Sequence, residues 1–404
     1  MSQTGKIRAE GDAGTAVIPP YAWIILIVVF LASVAAPLNQ NKVPPLMPVL
    51  MDAFEITLSQ AGLLMSVFSI TGLILALPTG IILQKIGPKV TGLIALGSLV
   101  AGSALGAFSS SMGLMLTSRV IEGVGMGLIA VVAPAVIALW FPPEKQGIPM
   151  GVWATWVPVG SVIMMLLAPR LGLAAGWQSV WWVGAGFSLV VFALYGFLLR
   201  TPPVLTDSDI PVVSPPRLNS ALANKDIWLL ALAFTCFNFV FMPLVTYYPT
   251  FLSEVRGYTL ADASLITSIS TIVVLFSAPL AGWLSDRIGS RKLILTVPFL
   301  VAAVIMLLPF KVVGWQIYLL MALFGLVAGA VPTATFAAAP EVMKNPQLAG
   351  LGLAVVMVGQ NLGMFAAPVL FGKLVESIGW AAAGYWLIPV ALAGFAAGWL
   401  VKVR

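Results

Sequence analysis

Long apolar stretches recur along the chain with short polar connections between them. They fall at about 21–51, 58–83, 91–109, 113–140, 148–169, 179–199, 227–250, 263–284, 293–310, 315–338, 349–371 and 381–401. Each is close to the ~20 residues with which an α-helix crosses a hydrocarbon core of ~30 Å. The pattern predicts an all-α membrane protein of twelve transmembrane helices. The longest connection, 201–226, carries three Asp and the turns Pro202-Pro203, Pro211 and Pro215-Pro216. It reads as a flexible cytoplasmic linker between two six-helix bundles, 21–200 and 227–404.

Residues 1–20 are mostly polar, and the apolar run that follows is too long for a signal-peptide core and has no small-residue cleavage pattern. They are expected to form a retained cytoplasmic tail. The tails and even-numbered loops then hold Lys6, Arg8, Lys85, Lys89, Lys145, Arg200, Arg217, Lys225, Arg287, Arg291, Lys292, Lys344, Lys402 and Arg404, 14 of the 20 basic residues. The outer loops hold only Arg170, Arg256, Lys311 and Lys373, which satisfies the positive-inside rule with both termini in the cytoplasm.

Composition narrows the function. Of 404 residues 60% are hydrophobic and 8% charged, against about 25% charged in soluble domains. Thirty-four formal charges are too few to coat a soluble globule of this size. There is no histidine, and the single cysteine, Cys236, lies in an apolar run, so histidine-dependent catalysis, His/Cys metal sites and disulfides lack their residues. No enzyme activity, cofactor or metal is expected. The net charge of +6 reflects topology rather than nucleic-acid binding, because the basic residues follow the loops.

The two bundles repeat each other at an offset of about 202. Gly80-x-x-x-Gln84-Lys85-x-Gly87 aligns with Gly282-x-x-x-Asp286-Arg287-x-Gly289, Gly123 and Gly127 with Gly325 and Gly329, and Gly176-Trp177 with Gly379-Trp380. Parallel repeats about an axis along the membrane normal suit alternating access to a site between the halves.

These motifs carry a resemblance to the major facilitator superfamily over about residues 20–402. Gly282-x-x-x-Asp286-Arg287-x-Gly289-x-Arg291-Lys292 resembles its loop signature almost completely, whereas the first copy has Gln84 in place of the usual Asp. Arg119-x-x-Glu122-Gly123-x-Gly125 resembles the family's Arg-x-x-x-Gly-x-Gly signature in span four. The resemblance implies secondary transport by rocking of two bundles without ATP, and no phosphate-binding Gly-x-x-x-x-Gly-Lys-Ser/Thr loop occurs. Gly80, Lys85, Gly282, Asp286, Arg287 and Arg291 are then candidate gating residues, with charges at helix ends holding the inner gate in one state. Alternatively, their basic members only enforce topology.

Three ionisable residues fall well inside spans: Lys42, Arg119 and Glu122. A charge at a helix centre costs about 2.5–3.5 kcal/mol on insertion scales, so such residues face a cavity or a partner. Lys42 follows Asn39-Gln40-Asn41 and is bracketed by Pro37, Pro44, Pro45 and Pro48, which predicts a kinked or unwound helix. An ammonium with the Asn39 amide one turn away suits a carboxylate, unless Lys42 snorkels outward. Arg119 and Glu122, three residues apart, share a helix face. They form either a self-neutralised structural pair or a site at which Glu122 takes up a proton as substrate reaches Arg119. The family's association of the Arg motif with proton coupling implies the second. Their repeat-mates are Met321 and Phe324, so the charge belongs to one half.

Asn238, Tyr247, Tyr248, Gln360 and Asn361 are candidates for the opposite wall, with Tyr248 expected opposite Lys42; each is alternatively a helix-to-helix contact. The leading expectation is proton-coupled symport of a small organic, carboxylate-type anion by a monomer in the cell inner membrane. The resemblance extends to monocarboxylate-type and cyanate/nitroimidazole-type carriers. The alternative is a drug/proton antiporter, although the Gly-x-x-x-Gly-Pro-x-x-Gly-Gly run of many such exporters is poorly met by Gly151-Val-Trp-Ala-Thr-Trp-Val-Pro158-Val-Gly160. A transporter-like sensor without flux is a third class, opposed by the lack of an appended soluble domain.

Overall fold

The computed structural model describes residues 18–75, 78–142, 145–200, 223–343 and 348–403; the expected tail and most of the expected linker lie outside them. The N-terminal half comprises α1 (Pro20–Gln40), α2 (Met47–Phe54), α3 (Leu58–Leu75), α4 (Pro78–Ala107), α5 (Met112–Trp140), α6 (Gly147–Ala154), α7 (Trp156–Ala175) and α8 (Gln178–Leu198). The C-terminal half comprises α9 (Lys225–Glu254), α10 (Leu260–Ile288), α11 (Arg291–Ile305), α12 (Trp315–Met343), α13 (Ala349–Tyr385) and α14 (Leu387–Leu400). Side-chain caps start several of them: Ser111, Asn224, Thr259 and Ser290 each accept a backbone N–H from the first turn.

Among the described residues ten stretches are long and apolar enough to cross a membrane. The first joins α1 to α2, and the fifth joins α6 to α7 across Thr155. The other two of the twelve expected crossings are broken up by turns. α11 stops after 15 residues, and the last crossing starts inside α13, at Trp380 after the turn at Gly379, and continues through α14. The expected boundary between spans two and three is a turn at Gly87, whose φ is 76°. It lies inside the expected 84–90 connection and is tight enough that the helices on either side of it follow one another directly within α4.

The repeat is visible in backbone and packing. Gly176 and Gly379 both have φ 78°, with ψ 159° and 168°, a conformation that a Cβ disfavours. A Cβ on Gly123 would press on the Phe68 carbonyl oxygen, and one on Gly325 on that of Ser270, two residues at the same offset of 202. Spans two and four thus pack as spans eight and ten do.

Three apolar cores define how the halves meet. One combines residues of both, including Leu46, Leu58, Met164, Tyr247, Ile266 and Phe371. The second belongs to the N-terminal half alone, from Ala22 through Leu96 and Val136 to Tyr195, and the third to the C-terminal half alone, from Ile227 through Leu295 and Val342 to Val401. The halves therefore share a core at the end carrying residues 46–58 and 247–252, through α3 against α13 and α7 against α10. They keep separate cores toward the end carrying Gly87 and Gly289.

Gly123→Ala and Gly325→Ala should each destabilise the protein by about 1–3 kcal/mol through overpacking, to a similar extent, as measured by thermal melting in detergent. A neutral result for either one would contradict the shared packing.

Candidate functional site

The site begins with a helix that cannot continue. Within α1 the carbonyls of Gln40 and Asn41 would be met four residues later by the N–H groups of residues 44 and 45, but both are proline. α1 accordingly stops at Gln40, residues 41–43 form a turn, and a short 3-10 segment, Pro44–Leu46, leads into α2. Carbonyls left open in the membrane interior require donors. Arg119 of α5 supplies them to the Gln40 carbonyl and to its neighbour at the helix end: its guanidinium donates to the Gln40 carbonyl at 2.9 Å, the Asn39 carbonyl at 2.8 Å and the Leu64 carbonyl of α3 at 3.1 Å. A cation at a helix C-terminus also meets the negative end of the helix dipole.

Glu122 completes the arrangement. One carboxylate oxygen accepts from Arg119 at 2.6 Å and the other from the Lys42 ammonium at 2.5 Å. Lys42 also donates to Ser103 Oγ at 2.7 Å and lies 4.9 Å from the ring centre of Trp181, while Arg119 lies 4.6 Å from that of Phe68. All three charged side chains are 0% exposed, and among the described residues no other charged side chain is buried. Glycines make the room: a Cβ on Gly102 would come within 2.7 Å of Glu122 Cγ, and one on Gly184 within 3.2 Å of Lys42 Nζ. The cluster holds two cations to one carboxylate, inside the N-terminal half.

Asn39 and Lys42 were expected on one helical face, but α1 ends between them. They meet instead at Ser103, whose Oγ accepts from Lys42 and lies 3.2 Å from Asn39 Oδ1. The Asn39 amide donates to the Ala35 carbonyl and to Ser188 Oγ. Lys42 thus points into its own bundle, neither snorkelling nor facing the other half.

The expected opposite wall is more dispersed. Tyr248 does not stand opposite Lys42; its hydroxyl donates to the Pro309 carbonyl at 2.9 Å among Phe251 and Phe310, all within the C-terminal half, whereas Lys42 points into the N-terminal half. Tyr247 donates to the Pro368 carbonyl at 2.6 Å, and Asn238 to the Phe234 carbonyl on its own helix. Asn361 donates to the Met357 carbonyl and lies against Gly72 of α3, where a Cβ would sit 3.0 Å from its Oδ1. Gln360 alone keeps an unsatisfied buried atom, Oε1, while its amide nitrogen is 3.7 Å from Met364 Sδ. Facing the charged cluster by symmetry, Met321 and Phe324 are buried, with Phe324 stacked on Phe241. Trp153 stacks on Trp156 and donates to Ser33 Oγ at 2.9 Å.

At the parted end, Lys85, Asp286 and Arg287 are exposed, Gly80 has open space where a Cβ would be, and Gly282 meets only Thr333. Arg287 lies over Trp283 of its own helix. Arg291 pairs with Glu341 at 2.7 Å and donates to the Ala337 carbonyl, a bond between α11 and α12 within one half. Sequence reasoning missed Ser103, Trp181 and Gly184 as the neighbours of Lys42. No local signal marks them, since they lie 61 to 142 positions away in the chain.

The family model described as Major Facilitator Superfamily matches residues 29–345 and 257–404. The chain is 25% identical over 276 residues to the hexuronate transporter of Bacillus subtilis (strain 168), covering 66% of this chain and 65% of that protein, so it spans less than two thirds of that relative's length. It is 23% identical over 414 residues to the D-galactonate transporter of Escherichia coli O6:H1, covering 92% and 93%. Its fold matches the crystal structure of a bacterial homolog of the human lysosomal transporter Spinster in an inward-facing and unoccupied conformation, with a TM-score of 0.73, 16% identity and 94% of each chain covered.

Removing one member of a buried ion pair strands the other, at about 3–5 kcal/mol. Glu122→Ala should therefore lower stability by that amount, and adding Lys42→Met should restore part of it, as read by a double-mutant cycle of thermal unfolding. Additive effects would separate Lys42 from Glu122.

Proposed function

The chain belongs to the Major Facilitator Superfamily and is a transporter rather than an enzyme, and from that premise we propose that it carries a small organic anion by alternating access, in symport with protons. The observation that carries this reading is the buried cluster of two cations that share one carboxylate. A net positive charge in a low-dielectric interior favours an anion in any cavity that opens beside it and opposes a cation, which argues against a cationic drug as cargo. The relatives named for hexuronate and D-galactonate handle organic acids, in keeping with a carboxylate cargo.

Coupling follows from charge. Protonating Glu122 removes the only negative charge of the cluster, weakens its bonds to Lys42 and Arg119, and leaves both cations to an incoming anion. Proton and anion then promote each other's binding, as linkage requires. We place the parted end, with Lys85, Lys89, Arg287, Arg291 and Lys292, on the cytoplasmic side of the cell inner membrane by the positive-inside rule, with both termini on that side. The division at 201–226 makes two six-helix bundles of 21–200 and 227–404, acting as a monomer. Asn39, Asn238, Tyr247, Tyr248, Gln360 and Asn361 position substrate or the helices that hold it. Gln360 Oε1 is the acceptor among them without a protein donor.

The test is a thermal-shift screen of the purified protein against sugar acids, nitrate, neutral sugars and cationic drugs. A ligand at 100 times its Kd stabilises by about 2.7 kcal/mol. Sugar acids or related carboxylates should raise the melting temperature and cationic drugs should not; the reverse result would make the protein a drug carrier. In proteoliposomes, Glu122→Gln should abolish the response of anion uptake to an imposed pH gradient, whereas undiminished pH-driven uptake would take Glu122 out of the coupling. Arg119→Lys, which keeps the charge but loses the bonds to the α1 carbonyls, should retain less than a tenth of wild-type uptake.

A further inference from the structure

The joined end contains a polar contact between the halves that the loop signature does not describe. α3 starts with Thr57-Leu58-Ser59-Gln60, a capping box: the Thr57 N–H donates to Gln60 Oε1 at 2.9 Å, and Thr57 Oγ1 accepts the Gln60 N–H at 3.4 Å. A helix start leaves four N–H groups without intrahelical partners, and this box leaves that of Ser59 open. Its partner comes from the other half. Glu376 of α13 accepts the Ser59 N–H at 2.7 Å with one carboxylate oxygen and the Ser59 hydroxyl at 3.0 Å with the other.

Three features concentrate this contact. The carboxylate meets the positive end of the α3 dipole, so the bonds are charge-assisted. Glycine lets the backbones close around it, since a Cβ on Gly372 would lie 2.7 Å from Ser59 Cα and one on Gly62 3.0 Å from the Pro368 carbonyl oxygen. The Tyr247 hydroxyl, bonded to that Pro368 carbonyl, lies 3.4 Å from the Leu58 carbonyl oxygen next to Ser59. Among the described residues, no ion pair joins the halves at either end.

The geometry points to Glu376 as the residue that holds this mouth closed, by capping a helix of the opposite half. Glu376 is exposed and Ser59 buried, so opening the mouth, which separates α3 from α13, exposes the Ser59 N–H and hydroxyl to water and breaks their bonds to the carboxylate. Glu376 is a positioning residue for the transport cycle: it sets the balance between the two open states and touches no substrate. The inference rests on the alternating-access part of the proposed function and is independent of the cargo.

The experiment measures distances by pulsed electron paramagnetic resonance between spin labels at Ala53 and Val255, which flank this mouth, and between labels at Ile86 and Ile288, which flank the other. It uses the full chain with Cys236→Ala, and all four labelled positions are exposed. Water screens the bonds of the exposed Glu376 carboxylate, so their loss should shift a two-state balance by about two- to five-fold. Glu376→Ala and Glu376→Gln should lower the ratio of short to long Ala53–Val255 distances about two- to five-fold and shorten the Ile86–Ile288 distances. Ser59→Ala, which keeps the backbone N–H, should shift the ratio in the same direction by less, and Ser377→Ala should leave it unchanged. Unchanged ratios in folded Glu376→Ala and Glu376→Gln would overturn the assignment; should neither fold, an unshifted Ser59→Ala ratio would do so. Because the readout is a distance, a failure here stands apart from a failure to find an anionic cargo.

Discussion

Two adjacent prolines deny the end of α1 the N–H groups its carbonyls need, and much of the N-terminal half is organised around that deficit. Water at a surface would satisfy them at little cost; in a bilayer interior the donor has to be protein. Arg119 can meet two successive carbonyls and a third on α3 because its guanidinium carries five donors in a planar fork. A buried guanidinium in turn requires a negative partner, and Glu122 stands one turn along the same helix. Its second oxygen draws in Lys42. The broken helix, the three charges and the glycines that admit them form one solution to one constraint.

That solution exists in one copy although the scaffold exists in two. Gly123 and Gly325 pack on equivalent carbonyls, and Gly176 and Gly379 turn with the same φ. Yet at the positions of Arg119 and Glu122 the C-terminal half has Met321 and Phe324, buried and stacked with aromatic neighbours. Span seven needs no such repair: α9 runs unbroken through Pro243 and Pro249 to Glu254, with no pair of adjacent prolines. The polar cluster therefore goes with the break in span one and not with the fold as such.

Much of this was legible in the sequence. The spans, the repeat and the three embedded charges follow from hydropathy and spacing, which are local. The pairing of Arg119 with Glu122 was legible as one of two readings because helix periodicity puts them on one face. The partnership of Lys42 with Glu122, 80 positions apart, was not, since it depends on how the break redirects the chain after Gln40. Nor was the place of Tyr248, which bonds Pro309 in its own half although repeat alignment places it opposite Lys42. The loop signature drew the gating residues to one end, where Lys85, Asp286 and Arg287 stand exposed in this conformation. Glu376 carries no motif, and its role depends on a helix start 317 positions away.

The two polar centres are not independent, because both act on α3. Ser59, in its first turn, is held by Glu376 of the other half, and Leu64, five residues along, offers its carbonyl to Arg119. At 1.5 Å per residue these points lie about 7.5 Å apart on one hydrogen-bonded rod. A helix with two attachments that close moves as a unit, so in the proposed cycle a change in the hold of Arg119 would reach the mouth assigned to Glu376. In the proposed cycle, protonating Glu122 or drawing Arg119 toward an anion would redistribute the donors that pin α3 and the end of α1 together. A physical path of this kind needs an element with two discrete arrangements. α3 is docked on α13 in this structure, and the proposed cycle would give it the second arrangement, parted from α13 when the mouth opens.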